Sequence, residues 1–303
     1  MRRWWSGLLL LPALAGAVPL PSPVSLMLAQ KGMVAPATFD PASATTAASP
    51  AAEALAEGSQ ARLERAELKV LRSRQWAAGV ILAWGLLQWD YGSRPIHFRS
   101  EGWFGQSTPE GGADKLGHLY TGYLLARGMA SLYRDWGLAA DRAAREAALT
   151  SVLVTTVMEV GDGFSPYGIS GEDLLMNLAG AWAGEALARS PAWRERLDLR
   201  VEYRFNADTS DFTTDYEHAR HLVALKLGGF DALRDTPLRW LEVQGGYYTR
   251  GYSDPRAPDR RTAYAGVGLN LPLLLRRARQ ERTATFLQFY QPPGTTLRLE
   301  DRL

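Results

Sequence analysis

DLLMNLAGAWAGEALAR (Asp173–Arg189) and, just beyond Ser190-Pro191, LRVEYRF (Leu199–Phe205) decide the fold. The first stretch mixes Ala and Leu with sparse polar residues and reads as a helix opened by Ser170. The second alternates and stops at Asn206, which is strand grammar. Everything upstream resembles the first and most of what lies downstream resembles the second. Upstream, Asp114–Trp136 and Asp141–Val160 are further helices. They are punctuated by Gly111-Gly112, Gly137 and Gly161. A charged, helix-prone stretch, Arg62–Arg74, leads directly into the uncharged Gln75–Trp89. Downstream, Leu238–Tyr252, Thr262–Leu271 and Thr283–Gln291 read as strands, Ser253–Arg261 as a hairpin loop and Tyr216–Gly228 as a helix. Apolar residues recur at Ala263, Ala265, Val267, Leu269 and Leu271, the mark of a strand with one face in and one face out. The expected class is α+β, a bundle of about four N-terminal helices followed by a small C-terminal antiparallel sheet packed on them. There is no internal repeat.

The helices are apolar enough to raise the question of lipid. The uncharged runs are 15 residues (75–89), 12 residues (between Glu146 and Glu159) and 11 residues (between Asp173 and Glu185). A spanning helix wants about 20. A membrane-embedded bundle and a bundle in water both stay open on this evidence. Gly245-Gly246-Tyr247-Tyr248 resembles outer-membrane strand text, yet four or five strands fall short of the eight of a closed single-chain barrel.

Met1–Ala17 carries Arg2 and Arg3, an apolar run from Leu8 and small-x-small sites at Ala13–Ala15 and Ala15–Ala17, the layout of a secretory signal peptide. Residues 18–60, dominated further on by Ala, Ser, Thr and Pro, are expected to be a flexible tether. The helical region is then 61–195 and the β-rich region 196–303. Without residues 1–17 the chain has 32 basic and 32 acidic side chains, so nothing draws it globally to nucleic acid. The run Arg276, Arg277, Arg279, Arg282 reads as a solvated turn. No cysteine is present, which excludes disulfides, thiolate zinc sites, a cysteine nucleophile and a cysteine-linked lipid. Four histidines make a His-rich metal site unpromising, and no cofactor motif is found. Ten Trp and twelve Tyr suit a protein placed where apolar matter meets water.

The informative residues are polar ones set in apolar helices. Asp114 and His118 are i,i+4 and share a face, as do Asp173 and Asn177. Lys115 and Tyr123 lie on the first of these helices. Glu159 ends the next, and Asp162 and Ser165 follow in its turn. Burying such groups separately is costly, so His118, Glu159, Asp173 and Asn177 are expected to converge, with Lys115 compensating a carboxylate. A structural reading stands beside a functional one: Asp114 as a helix cap, Asp173 favoured by the helix dipole, His118–Glu159 as an interhelical hydrogen bond.

Gly111-Gly112-Ala113-Asp114-Lys115-Leu116-Gly117-His118, Tyr123, Arg127, Glu159–Ser165, Tyr167-Gly168, Asp173, Asn177 and Gly180 resemble the YfiM-like family of envelope proteins, thought of as periplasmic lipoproteins. Asp-Lys-x-x-His, a later Glu and Asp-x-x-x-Asn-x-x-Gly are also similar to VanZ-like membrane proteins, associated with glycopeptide tolerance. The likeness spans about residues 95–190, with further points at Asp215-Tyr216 and Gly245-Gly246-Tyr247. It implies an envelope location, and it implies no reaction. The missing cysteine departs from the lipoprotein pattern.

Three functions follow. The first is a membrane-associated envelope protein in which Asp114, Lys115, His118, Glu159, Asp173 and Asn177 knit the helices, the sheet meeting an envelope partner. The second is a membrane-surface hydrolase or transferase acting on a lipid-linked or cell-wall-related substrate. His118 is its base, Glu159 its orienting group or acid, Asp173 and Asn177 position the substrate, and Lys115 meets an anion. Ser165 is a weak nucleophile candidate, and Mg²⁺ or Mn²⁺ is the metal such ligands would prefer. The third is an outer-membrane-associated assembly factor built on the strands. No small-molecule ligand is identifiable.

Overall fold

The structure is a computed structural model that describes residues 50–254 and 256–303, with side chains described from residue 57. The expected signal peptide and the tether up to residue 49 lie outside the described residues. The described residues fall into two units divided between Arg72 and Ser73. Of the first, Pro50–Arg72 is helical. It is the first part of α1 (Pro50–Gln88), so the helix begins inside the Ala-rich stretch expected to be a tether. The high intrinsic helix propensity of alanine favours this over coil once a helix follows.

The second unit contains α2 (Ala113–Asp135), α3 (Ala140–Asp162) and α4 (Gly171–Arg189). Each of the three sequence-based helices is found within two residues of its expected ends. Ser170 caps α4 as its sequence promises, its hydroxyl accepting from the Asp173 N–H at 3.2 Å. Gly112 precedes α2 at φ 84°, and a Cβ there would sit 2.6 Å from the Trp103 carbonyl oxygen, so only glycine makes this turn.

Small residues let α2 and α4 approach at backbone distance. Gly122 on α2 meets Asn177 and Ala181 on α4, Ala126 meets Gly184, and Gly180 meets Leu119 and Tyr123. Ser151 of α3 donates to the Gly122 carbonyl at 2.8 Å, locking the third helix to the pair. A Cβ at Gly180 would overlap the Leu119 carbonyl oxygen, which is backbone and cannot rotate away. Gly180→Ala is therefore expected to destabilise by about 1–3 kcal/mol, as overpacking does. A melting temperature equal to that of the parent would show that the helices move apart freely. Among the described residues no helix is long and apolar enough to cross a membrane.

Five strands follow: β1 (Leu197–Tyr203), β2 (Ala219–Lys226), β3 (Leu241–Arg250), β4 (Arg260–Leu269) and β5 (Thr296–Arg302). They pair antiparallel in chain order as one sheet. Short helices α5 (Pro191–Arg196), α6 (Asp231–Arg234), α7 (Leu271–Arg277) and α8 (Glu281–Phe286) fill the connections. The architecture is the expected helical region followed by a small antiparallel sheet. Two elements differ from the sequence reading. Residues 216–228 hold β2, not a helix, because they lie between β1 and β3 and pair with both. Residues 283–291 hold most of α8 and a turn, and the end of that turn lies along β1, where Tyr290 bridges Val201 and the Phe289 carbonyl accepts from the Val201 N–H at 3.0 Å. The fifth strand, at the end of the sequence, carries Arg298, Glu300, Asp301 and Arg302 and does not look apolar enough to be one.

The sheet reverses the usual polarity. On one face Asp198, Arg200, Glu202, Lys226, Glu242 and Gln244 are buried. On the other, Val223, Val243, Val267, Leu269, Leu297 and Leu299 are exposed, the last two 84% and 83%. The register aligns them, Val243 beside Val267 and Val267 beside Leu297. The buried charges persist because they pair. Arg200 donates to Asp198 at 2.7 Å, to Glu242 at 2.7 Å and to Gln291 at 2.8 Å. Lys226 donates to Asp198 and to the Arg194 carbonyl, each at 2.7 Å. Glu202 accepts from Arg220 and Arg298. The C-terminal region meets the helices where Tyr247 of β3 donates to the carbonyl of Gly111, just before α2, at 2.6 Å, and where Tyr120 of α2 donates to the carbonyl of Phe289, in the turn after α8, at 2.8 Å.

Candidate functional site

The first turns of α2 carry the densest chemistry. Asp114 and His118 share a face, and both open onto a cavity of about 350 Å³. Lys115 lies behind this wall and is fully buried. Its ammonium donates to Glu101 at 2.7 Å and Asp114 at 2.8 Å, and lies 2.8 Å from Asp173 at the start of α4. One cation thus joins three carboxylates from a loop and two helices. His118, 16% exposed, lies between two acids: Nδ1 is 3.3 Å from Glu159 at the end of α3 and Nε2 is 3.7 Å from Asp173. Behind it, Asn177 donates to Glu159 at 3.1 Å. Four residues expected to converge, His118, Glu159, Asp173 and Asn177, do so, and Lys115 compensates acids as anticipated.

The cluster has two layers. Glu159, Asn177 and Lys115 form a closed interior. His118, Asp114, Asp173 and Asp162 line the cavity, together with Ile81, Trp89, Pro109 and Met158. Thr213, Thr214 and Tyr216 line it from the loop before β2. Asp211 holds that loop, accepting from the Thr213 N–H at 2.9 Å and from the Trp89 indole at 2.7 Å. The Tyr216 ring lies so close over Gly117 that a Cβ there would be 2.6 Å away. Two sequence candidates stand elsewhere. Tyr123 is buried against Phe289 and Tyr120, away from the cavity. Ser165 is buried in its turn, donating to the Asp162 carbonyl at 2.9 Å and accepting from the Tyr167 N–H at 3.1 Å, which leaves it poorly placed as a nucleophile. Glu101, Glu110 and the Thr213–Thr214 pair were not candidates from the sequence, where they are ordinary loop residues. Tyr216 had one signal, the Asp215-Tyr216 likeness.

Burial sets the protonation of this site. It pushes Glu159 up to about 9, with the Asp173 and Asp162 charges adding to the rise. It pushes Asp162 up to about 7, and Asp114 up to about 7 although Lys115 opposes the shift. It lowers His118, which favours the neutral imidazole. Burial alone would lower Lys115, but Asp114, Asp173 and Glu101 reverse that and hold its proton. At neutral pH, then, Glu159 is a carboxylic acid beside an unprotonated imidazole and Lys115 a permanent cation.

A proton bound by Glu159 in the folded state is lost in the unfolded state above its ordinary 4.5. The unfolded chain therefore binds fewer protons between pH 4.5 and about 9, and this group's contribution to stability falls as pH rises through that window. Glu159→Gln keeps the acceptor for Asn177 and removes the titration. Its stability relative to the parent is expected to improve steadily from pH 5 to pH 9, read by urea unfolding. Parallel pH curves would show that Glu159 is ionised in the folded protein.

His118, Glu159 and Asp173 offer ligand atoms within 4.8 Å of one another, as do Glu101, Asp114 and Asp173. In the second set the Lys115 ammonium already provides the positive charge. In the first, each ring nitrogen faces a different acid and Asp173 is shared with Lys115. The arrangement suits holding and moving protons better than coordinating an ion.

A family model described as "Predicted periplasmic lipoprotein (DUF2279)" matches residues 100–188. The span includes Glu101, Asp114, Lys115, His118, Glu159, Asp162, Asp173 and Asn177. The description agrees with the exported, periplasmic, membrane-associated location expected from the sequence. No curated protein and no solved structure matches the chain.

Proposed function

We propose that this envelope protein binds an amphiphilic ligand in the α2–α3–α4 cavity and performs acid–base chemistry on it, with His118 as base and Glu159 as its proton-bearing partner. The carrying observation is His118 on the cavity wall with the buried Glu159 carboxyl 3.3 Å from its Nδ1, in surroundings whose burial favours the uncharged form of both. A site of purely structural hydrogen bonds has no need of a cavity at its imidazole. The wall combines Ile81, Trp89 and Met158 with Asp114, Asp162 and Asp173, which supports a ligand with an apolar part and a neutral or cationic head. Lys115 is enclosed by its three acids and does not meet an anionic group of the ligand, contrary to the sequence expectation. A lipid-linked or cell-wall-related substrate fits this chemistry, in line with the YfiM-like and VanZ-like resemblance. Membrane association is supported by apolar stripes: Leu149, Leu153 and Val160 on α3, Leu175, Leu178 and Trp182 on α4, all exposed.

A second reading keeps the cluster as a knit of helices and gives the sheet the functional role of meeting an envelope partner or assembling with outer-membrane proteins. Leu297 and Leu299 on the open face favour it. His118→Gln separates the two. On a panel of lipid-linked and peptidoglycan-derived esters and amides with neutral or cationic head groups, the parent is expected to turn over one class. The variant is expected to lose about 10²–10⁴-fold of that rate with its melting temperature nearly unchanged. If the parent converts nothing on the panel and His118→Gln lowers only stability, the structural reading replaces this one.

A further inference from the structure

A second cavity, of about 320 Å³, lies away from the acidic one, near α5, α6 and α7. Its chargeable lining is Lys226, Arg234, Arg239, Arg276 and Arg277 against the single acid Glu195. The basic run that reads in the sequence as a solvated turn supplies two of these, brought beside cations from three other parts of the chain. Lys226 is fixed by Asp198, Arg234 pairs with Asp231 at 3.0 Å, and Arg276 reaches Glu281 only at 3.9 Å. Arg239 and Arg277 are held differently. Their guanidinium carbons sit 4.8 and 4.9 Å from the Trp240 ring centre, which orients the planes; one Arg239 Nη donates to the Arg234 carbonyl at 3.4 Å. The Arg239 Nε is buried and has no hydrogen-bond partner among the described residues. An unmet buried donor costs free energy that a ligand acceptor recovers. The surrounding field is positive as well: burial lowers Arg194, and Arg127, Arg134 and Arg276 lower it further. Leu238, next to Arg239, and Leu274, two residues before Arg276, are exposed.

We propose that this cavity binds a phosphate-bearing anion, with Arg239 and Arg277 as its principal donors. Planar guanidinium pairs match phosphate oxygens two at a time, and the acidic cavity of the helical region repels the same ligand. The phosphate comes either from the headgroup of an anionic lipid or from a soluble phosphate.

The test uses the full chain and two probes, vesicles of phosphatidylcholine with and without phosphatidylglycerol, and inorganic phosphate. Arg239→Gln with Arg277→Gln is compared with the charge-matched control Arg256→Gln with Arg260→Gln. Each cation near an anionic surface is worth about fivefold in binding, so the double variant is expected to bind phosphatidylglycerol vesicles about 25-fold more weakly, with the control close to the parent. Binding to these vesicles that phosphate fails to displace assigns the headgroup. Saturable phosphate binding weakened by the same variant assigns the soluble ligand. Equal weakening by both double variants, or no binding of either probe by the parent, overturns the proposal. If the double variant does not fold, Arg277→Gln alone, at an exposed position, carries the test with about a fivefold effect.

Discussion

Lys115→Met is expected to lower the stability of the body by about 3–5 kcal/mol at pH 8, the scale for removing one partner of a buried ionic group. The methionine fills nearly the same volume, so the loss is electrostatic. Glu101, Asp114 and Asp173 all face the ammonium within 2.8 Å, and without it they are left together in a largely dry interior. They then have one recourse, which is to take up protons. Asp114 already sits near 7 with the lysine in place, and loss of the cation raises it. The variant's folded state therefore binds more protons than its unfolded state. Its deficit shrinks as pH falls towards 5 and grows as pH rises. Urea unfolding at pH 5 and pH 8 measures both effects. A loss below about 1 kcal/mol at pH 8 would mean that water reaches these acids and the ammonium is not their necessary partner.

Arg200→Met is the companion case in the sheet, with a loss again of about 3–5 kcal/mol. Its guanidinium is enclosed, and Asp198, Glu242 and Gln291 each lose a donor in its absence. Asp198 keeps Lys226, so the damage concentrates on Glu242, which otherwise retains only the Gln244 amide, at 2.6 Å. Adding Glu242→Gln is thus expected to recover part of the loss, because it removes the stranded charge while keeping the hydrogen-bonding shape. If the second substitution makes matters worse, the carboxylate and Arg200 do not act as a unit.

How much of this was readable beforehand depends on what kind of physics each element obeys. The helices α2, α3 and α4 follow composition and glycine punctuation, and they end where those signals place them. The convergence of His118, Glu159, Asp173 and Asn177 was also accessible, since isolated polar groups on apolar helices must find one another. Glu101 was not, because a loop carboxylate carries no periodic signature. The cavity itself depends on a loop beyond the helices, where only the Asp215-Tyr216 likeness gave notice of Tyr216. The sheet misled most. Alternation finds β1 and β3, but taking the apolar residues as the inward ones gives the wrong face where Arg200, Glu202, Lys226 and Glu242 are buried. Residues 216–228 then pass for a helix, and no strand is read at Thr296–Arg302. The charge pairs that make this inversion tolerable join residues up to about a hundred positions apart, as from Glu202 to Arg298, which no local window contains.

The chain has four lysines, at 31, 69, 115 and 226, and the body from Ser73 onward keeps both of its own inside, Lys115 and Lys226. All other basic chains there, apart from its histidines, are arginines. An acylating reagent that seeks free amines consequently finds no target on the folded body, however long it waits at its surface. Every label that appears at position 115 or 226 dates an excursion in which that body came open, so the two amines act as clocks for its breathing.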